Sequence, residues 1–207
     1  MERKGNRTTE RESIKSFFDW LVPNIDRIFS DFNFQEEISK KLSVINPNIR
    51  WEAGPWESGE NFFAVSPNLD VNNFSLTKLL TECAPNVVGW FFLSSKPRKR
   101  WSSRVIKIKS GNKFIEYNID SWRYYLTSFN DGEFFDVNLI PYGHEDIPID
   151  DLEYIGSMFV EFELGEEIYM ELIDQINIVL PSNLEVSVNK PEFLYPQILE
   201  ERLTIDE

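Results

Sequence analysis

The hydrophobic residues change period near residue 47, and that change decides what this chain can fold into. Up to Ile45 they recur every three to four positions: Ile14, Phe17, Phe18 and Leu21, then Ile25, Ile28, Phe29 and Phe32, then Phe34, Ile38, Leu42 and Ile45. That spacing puts one apolar stripe on each of three short helices. Thr8 or Thr9 is available as a cap for the first, Pro23 breaks it from the second, and "NPN" ends the third. A helix with a single apolar stripe has to bury it against something. Residues 1–46 are therefore expected as a helical layer packed on a main domain of residues 47–207.

From Ile49 the period becomes two. "IRWEAGPW" and "NFFAVSP" predict strands joined by a Gly- and Glu-rich loop, followed by a helix with Leu76, Leu79, Leu80 and Cys83 on its inner face. "GWFFL" predicts the next strand. "RVIKIKSGNKFIEYNI" predicts a hairpin turning at Ser110-Gly111-Asn112, and "RYYLTSFNDGEFFDVNLI" a second, whose Asp131-Gly132 supplies positive-φ positions. Leu152, Ile155, Phe159 and Phe162 mark a helix ending at Leu164-Gly165. Beyond it, Ile168, Met170, Leu172, Ile176, Ile178 and Leu180 alternate as a strand, with Asp174 interrupting the face as a bulge would. A short helix around "YPQILEERL" closes the chain. The expectation is an α+β fold with a largely antiparallel sheet covered by helices, in which a ββαβ unit occurs twice, around 49–94 and 123–180.

Charge is distributed as unevenly as hydrophobicity. The net charge is -14, yet no acid occurs from Cys83 through Ile115, where Lys96, Arg98, Lys99, Arg100, Arg104, Lys107, Lys109 and Lys113 all fall. From Asp131 onward there are 20 acids against only Lys190 and Arg202. The acidic surplus argues against nucleic-acid or anionic-membrane partners, because the summed field repels phosphate. No run of about 18 apolar residues occurs, and the charged N-terminus has no apolar stretch behind it, so a cytoplasmic protein with no membrane span is expected.

The candidate binding patch is Lys96, Arg98, Lys99, Arg100, Trp101 and Arg104, since Arg and Trp are enriched where binding energy concentrates. The competing reading makes the same residues a solvated strand face and loop, or an internal counterweight to the acidic C-terminal third. Catalytic signatures are missing: the only histidine, His144, has no G-x-S-x-G partner motif, and neither phosphate-loop pattern is present. His144, Glu145, Asp146 and Asp150 in "GHEDIPIDD" are weak metal-ligand candidates, and acids at a helix N-terminus explain most of them without a metal. One cysteine excludes an internal disulfide and a Cys-based zinc cage, and Cys83 is expected as a buried, inert thiol. No cofactor is called for.

Three blocks together carry a resemblance. They are Gly54-Pro55 with Asn61-Phe62-Phe63-Ala64-Val65-Ser66-Pro67, Ala84-Pro85 with Gly89-Trp90-Phe91-Phe92 and Lys96-Pro97, and Leu164-Gly165-Glu166. Over about residues 49–180 the chain resembles small uncharacterised bacterial proteins carried as domains of unknown function. The resemblance implies an intracellular α+β domain and supplies no activity. The functional expectation is a non-enzymatic, acidic protein-binding domain, such as an immunity protein that neutralises a basic toxin. The alternatives are a metal-dependent hydrolase using the His144 loop and an interaction domain of unspecified partner.

Overall fold

The computed structural model describes residues 3–56, 59–110, 113–181 and 186–203. The chain forms two compact units, Met1–Pro97 and Arg98–Glu207. The helices of residues 1–46 share one core with the first sheet, and the first unit extends to Pro97.

In the first unit, α1 (Arg3–Leu21) leads through a 3₁₀ segment, Val22–Phe29, into α2 (Phe32–Ile45). The first helix starts at Arg3, upstream of the expected caps at Thr8 and Thr9. Pro23 sits where a helical turn lacks an internal acceptor, and the Asp31 side chain caps α2 by accepting from the Phe34 N–H at 3.1 Å. The 3₁₀ geometry corrects the expected apolar stripe. At three residues per turn, Ile25 and Ile28 stay buried while Phe29 rotates outward and stacks on Trp90, 5.7 Å away at 11°. Phe32, at the first position of α2, is 69% exposed.

Strands β1 (Arg50–Pro55) and β2 (Asn61–Ser66) pair antiparallel, α3 (Val71–Glu82) crosses over, and β3 (Trp90–Leu93) returns parallel to β2. Alternation turns Phe63 and Val65 into a core with Ile14, Phe17, Phe18, Leu21, Ile38 and Leu80. Aromatic edges set its packing: Phe17 on Phe18 at 5.2 Å, and Phe18 on Phe92 at 5.2 Å. Cys83 ends α3 half-buried rather than buried, with an Arg11 guanidinium nitrogen 3.8 Å from its sulfur.

The second unit contains β4 (Val105–Ser110) and β5 (Lys113–Asn118) as an antiparallel pair. The Gly111-Asn112 part of their expected turn lies outside the described residues. The main sheet has the order β6 (Arg123–Phe129), β7 (Phe134–Ile140), β8 (Ile173–Ile178), with β6–β7 antiparallel and β7–β8 parallel. The β6–β7 turn takes positive φ at Asn130 and Gly132, one residue earlier than expected at the first position. Between β7 and β8 run α4 (Ile149–Leu164) and α5 (Glu166–Leu172). Residues 166–172 are thus helical where alternation predicted strand. Gly165, at φ 82°, stops α4, and Ile168 and Leu172 are spaced four apart, which serves a helix as well as a strand. The bulge expected at Asp174 is present: Phe135 pairs with Ile173 and Asp136 with Gln175, leaving Asp174 unpaired between them. The last helix, α6 (Leu194–Leu203), buries Leu194 and Ile198.

Each unit therefore contains the same path, an antiparallel hairpin, a helical crossover, and a parallel return beside the hairpin's second strand. In the second unit α4 lies close on the sheet because of Gly156. A Cβ there would stand 2.8 Å from Leu139 Cδ1 and 3.2 Å from Ile178 Cδ1. Alanine is tolerable, since those atoms are side-chain tips. Gly156→Leu is expected to destabilise the fold by about 1–3 kcal/mol through overpacking, read as a lower midpoint in denaturant at unchanged slope.

Candidate functional site

The basic segment folds back onto the last turn of α4. A helix C-terminus leaves carbonyls without internal donors and carries partial negative charge, and α4 has no basic residue in its own last turn. Segment 98–104 supplies what is missing. The Lys99 N–H donates to the Phe162 carbonyl at 2.7 Å, and the Lys99 ammonium lies 3.5 Å from the centre of the Phe162 ring. Trp101 packs on the same ring at 5.9 Å, and the Arg98 guanidinium covers Tyr195 of α6 at 3.9 Å.

At the centre of this segment's contacts is Glu163, whose side chain is 0% exposed. Arg98 Nη2 donates to Glu163 Oε1 at 3.3 Å, and Arg104 Nε lies 3.4 Å from Oε2 with its own side chain 17% exposed. Burial pushes the Glu163 carboxyl above its ordinary value, against the pull of Arg104 and Arg98. No substrate reaches an enclosed carboxylate, so its chemistry here is cohesive. The sequence singled out the cations and missed their partner. The signal was present: Glu163 stands four residues beyond Phe159, on the stripe of Leu152, Ile155 and Phe159 that enters the core.

Of the six residues of the expected patch, Arg98, Lys99, Trp101 and Arg104 are brought together on α4 and α6. Lys96 belongs to the first unit, and both it and Arg100 have partners. Farther along, Lys107 pairs with Glu116 across the β4–β5 ladder at 2.6 Å. The Glu163 contacts of Arg98 and Arg104 are of the kind the counterweight reading describes, whereas Glu116 lies outside the acidic C-terminal third.

The second candidate, the loop 141–148, is organised around aromatic rings. The Trp122 indole N–H donates to His144 Nδ1 at 3.0 Å, which places the ring's proton on Nε2, and Tyr117 flanks the ring at 6.0 Å. Glu145 accepts from the Gly143 N–H at 3.0 Å, and this bond holds its carboxyl below the usual range. Among the described residues, no group of three or more His, Cys, Asp or Glu side chains is placed to hold a metal ion, so His144, Glu145, Asp146 and Asp150 do not assemble into a ligand set.

No helix among the described residues is long and apolar enough to cross a membrane. Compared with known proteins, the chain matches no family model, no curated protein and no solved structure.

The sign of the Glu163 effect follows from linkage. A carboxyl whose folded value is raised holds its proton more tightly in the folded state, so its contribution to stability is complete below 4.5. That contribution is lost as pH rises through the raised folded value. Glu163→Gln, which cannot titrate, is expected to flatten that part of the stability–pH curve measured by denaturant unfolding. Arg104→Met, which strips a buried carboxylate of its counter-ion, is expected to cost about 3 kcal/mol near neutral pH, and less in acid, where Glu163 takes up a proton.

Proposed function

We propose that this protein is a non-enzymatic binding module for a basic protein partner, and that an immunity protein neutralising a basic toxin is the biological form this takes. The observation that carries the reading lies at the start of α4. Ile149 and Tyr154 are 47% and 56% exposed there. Exposed Glu145, Asp146, Asp150, Asp151 and Glu153 surround them in sequence. None of these five acids is in an ion pair among the described residues, whereas Arg98 and Arg104 are drawn inward to Glu163. Apolar anchors with an unneutralised acidic rim suit a basic partner: the charges steer encounter and select the partner, and the buried anchors slow its release. The alternative of a metal-dependent hydrolase at His144 has no assembled ligand set in its favour among the described residues.

The test is direct binding of the purified chain to the basic proteins encoded beside its gene, by calorimetry at several salt concentrations. Saturable binding that weakens steeply with salt is expected. A variant carrying Asp150→Lys, Asp151→Lys and Glu153→Lys should lose about tenfold or more in affinity, the scale of one close interfacial charge pair. Binding to none of these partners, or binding indifferent to both salt and charge reversal, would overturn the reading.

A further inference from the structure

The sheet β6–β7–β8 has a second face, turned away from α4, and that face is unusually polar. Phe135, Val137 and Leu139 of β7 point into the core, so the alternate residues Asp136 and Asn138 point the other way. The ladder aligns them in two rows across three strands: Thr127, Asp136 and Gln175 in one, Tyr125, Asn138 and Asn177 in the next. Thr127 and Gln175 are exposed, while Tyr125, Asp136 and Asn177 are half-buried.

These side chains are partly wired to one another. Asn177 Nδ2 donates to Asn138 Oδ1 at 3.2 Å, and Asn138 Nδ2 donates to Thr127 Oγ1 at 3.1 Å. Asn138, only 7% exposed, is thereby held in one orientation. The chain of bonds leaves the Thr127 hydroxyl proton and the Asn177 carbonyl oxygen to serve another molecule. Asp136 Oδ1 is buried and has no hydrogen-bond partner among the described residues. A buried carboxylate oxygen without a donor is costly, and natural structures leave few of them. Phe129 and Phe134 pair at the end of the same ladder, 43% and 41% exposed.

We propose that this face binds a neutral saccharide. A sugar hydroxyl both donates and accepts, so adjacent hydroxyls can serve the half-buried Asp136 carboxylate and Asn177 Oδ1 as donors while one of them accepts from Thr127. The C–H face of the ring can lie on Tyr125 or the Phe129–Phe134 pair, giving a few convergent polar groups beside apolar area. One carboxylate among amides and a hydroxyl is too little charge for a divalent cation, which gathers several anionic oxygens. A peptide strand adds to an edge of a sheet through main-chain groups, and not to its face. The proposal is independent of the partner surface at Ile149 and Tyr154, because α4 packs on the opposite face.

The test is titration of the ¹⁵N-labelled full chain with glucose and with N-acetylglucosamine, and with glycerol as a control, followed by two-dimensional NMR. Saturable shifts are expected at the amides of Thr127, Asp136, Asn138, Gln175 and Asn177 with at least one sugar and not with glycerol. Asp136→Ala is expected to weaken that binding by about tenfold or more, the loss of a charged hydrogen bond. Thr127→Val, a milder change on an exposed position, should weaken it as well and guards against misfolding of the first variant. Shifts that do not saturate, that glycerol reproduces, that map elsewhere, or that survive both substitutions would overturn the proposal.

Discussion

A carboxylate with no exposed surface at the end of a helix constrains everything packed around it. Removing Glu163 from water is expensive, and its attraction to Arg98 and Arg104 offsets that cost only while both guanidinium groups stay at 3.3 and 3.4 Å. The segment from Arg98 to Arg104 is thereby fixed across the last turn of α4, and β4 follows directly from it. Tyr195 under Arg98 extends the same arrangement to α6. A hydrophobic residue at position 163 would hold α4 to the core as well, but it would not choose which loop covers the helix end. A buried ion pair is more useful for choosing an arrangement than for adding stability, and here it selects the one basic segment of an acidic chain.

The recurring hairpin–helix–strand path explains how so many aromatic side chains are accommodated. In each unit the helical crossover lies on one face of a three-stranded sheet and covers the alternate residues of the central strand, Phe63 and Val65 in β2, Phe135, Val137 and Leu139 in β7. The central strand pairs antiparallel on one side and parallel on the other, so hairpin and crossover share one set of inward-facing residues. The units differ in what surrounds that path. The first adds α1, the 3₁₀ segment and α2, while the second adds the β4–β5 pair and α6.

Much of this was legible because period reports which face is buried. The change near residue 47, the two hairpins, the α4 stripe and the bulge at Asp174 all follow from where apolar residues recur. The failures have equally local causes. Ile168 and Leu172 satisfy both periods, so alternation alone could not reveal α5, and only the positive φ at Gly165 separates it from α4. Phe29 fits an α-helical stripe but lies in a 3₁₀ segment whose shorter turn swings it out. The basic cluster was visible as composition, whereas its meaning depended on a contact 65 residues away in sequence. An acid on an apolar helical stripe, at Glu163, was the local clue to that contact. No comparable clue marked the amide rows at Asn138 and Asn177, whose alignment exists only once three strands are in register.

Sorting the charges by what they touch changes the meaning of the net -14. In the second unit several cations of the basic segment have partners within the unit: Arg98 and Arg104 meet Glu163, Lys99 meets the end of α4, and Lys107 pairs with Glu116 at the surface across its ladder. The acids at the start of α4 have no such partners among the described residues, although they benefit from the positive end of the helix. One helix thus gathers opposite charges at its two ends, cations where the partial charge is negative and acids where it is positive. The difference is burial. At the C-terminal end the Glu163 carboxylate is enclosed beneath its two arginines, while at the N-terminal end the acids face water beside Ile149 and Tyr154. An encounter with another macromolecule is governed by the field that reaches solvent, and from this unit that field is set by the acids.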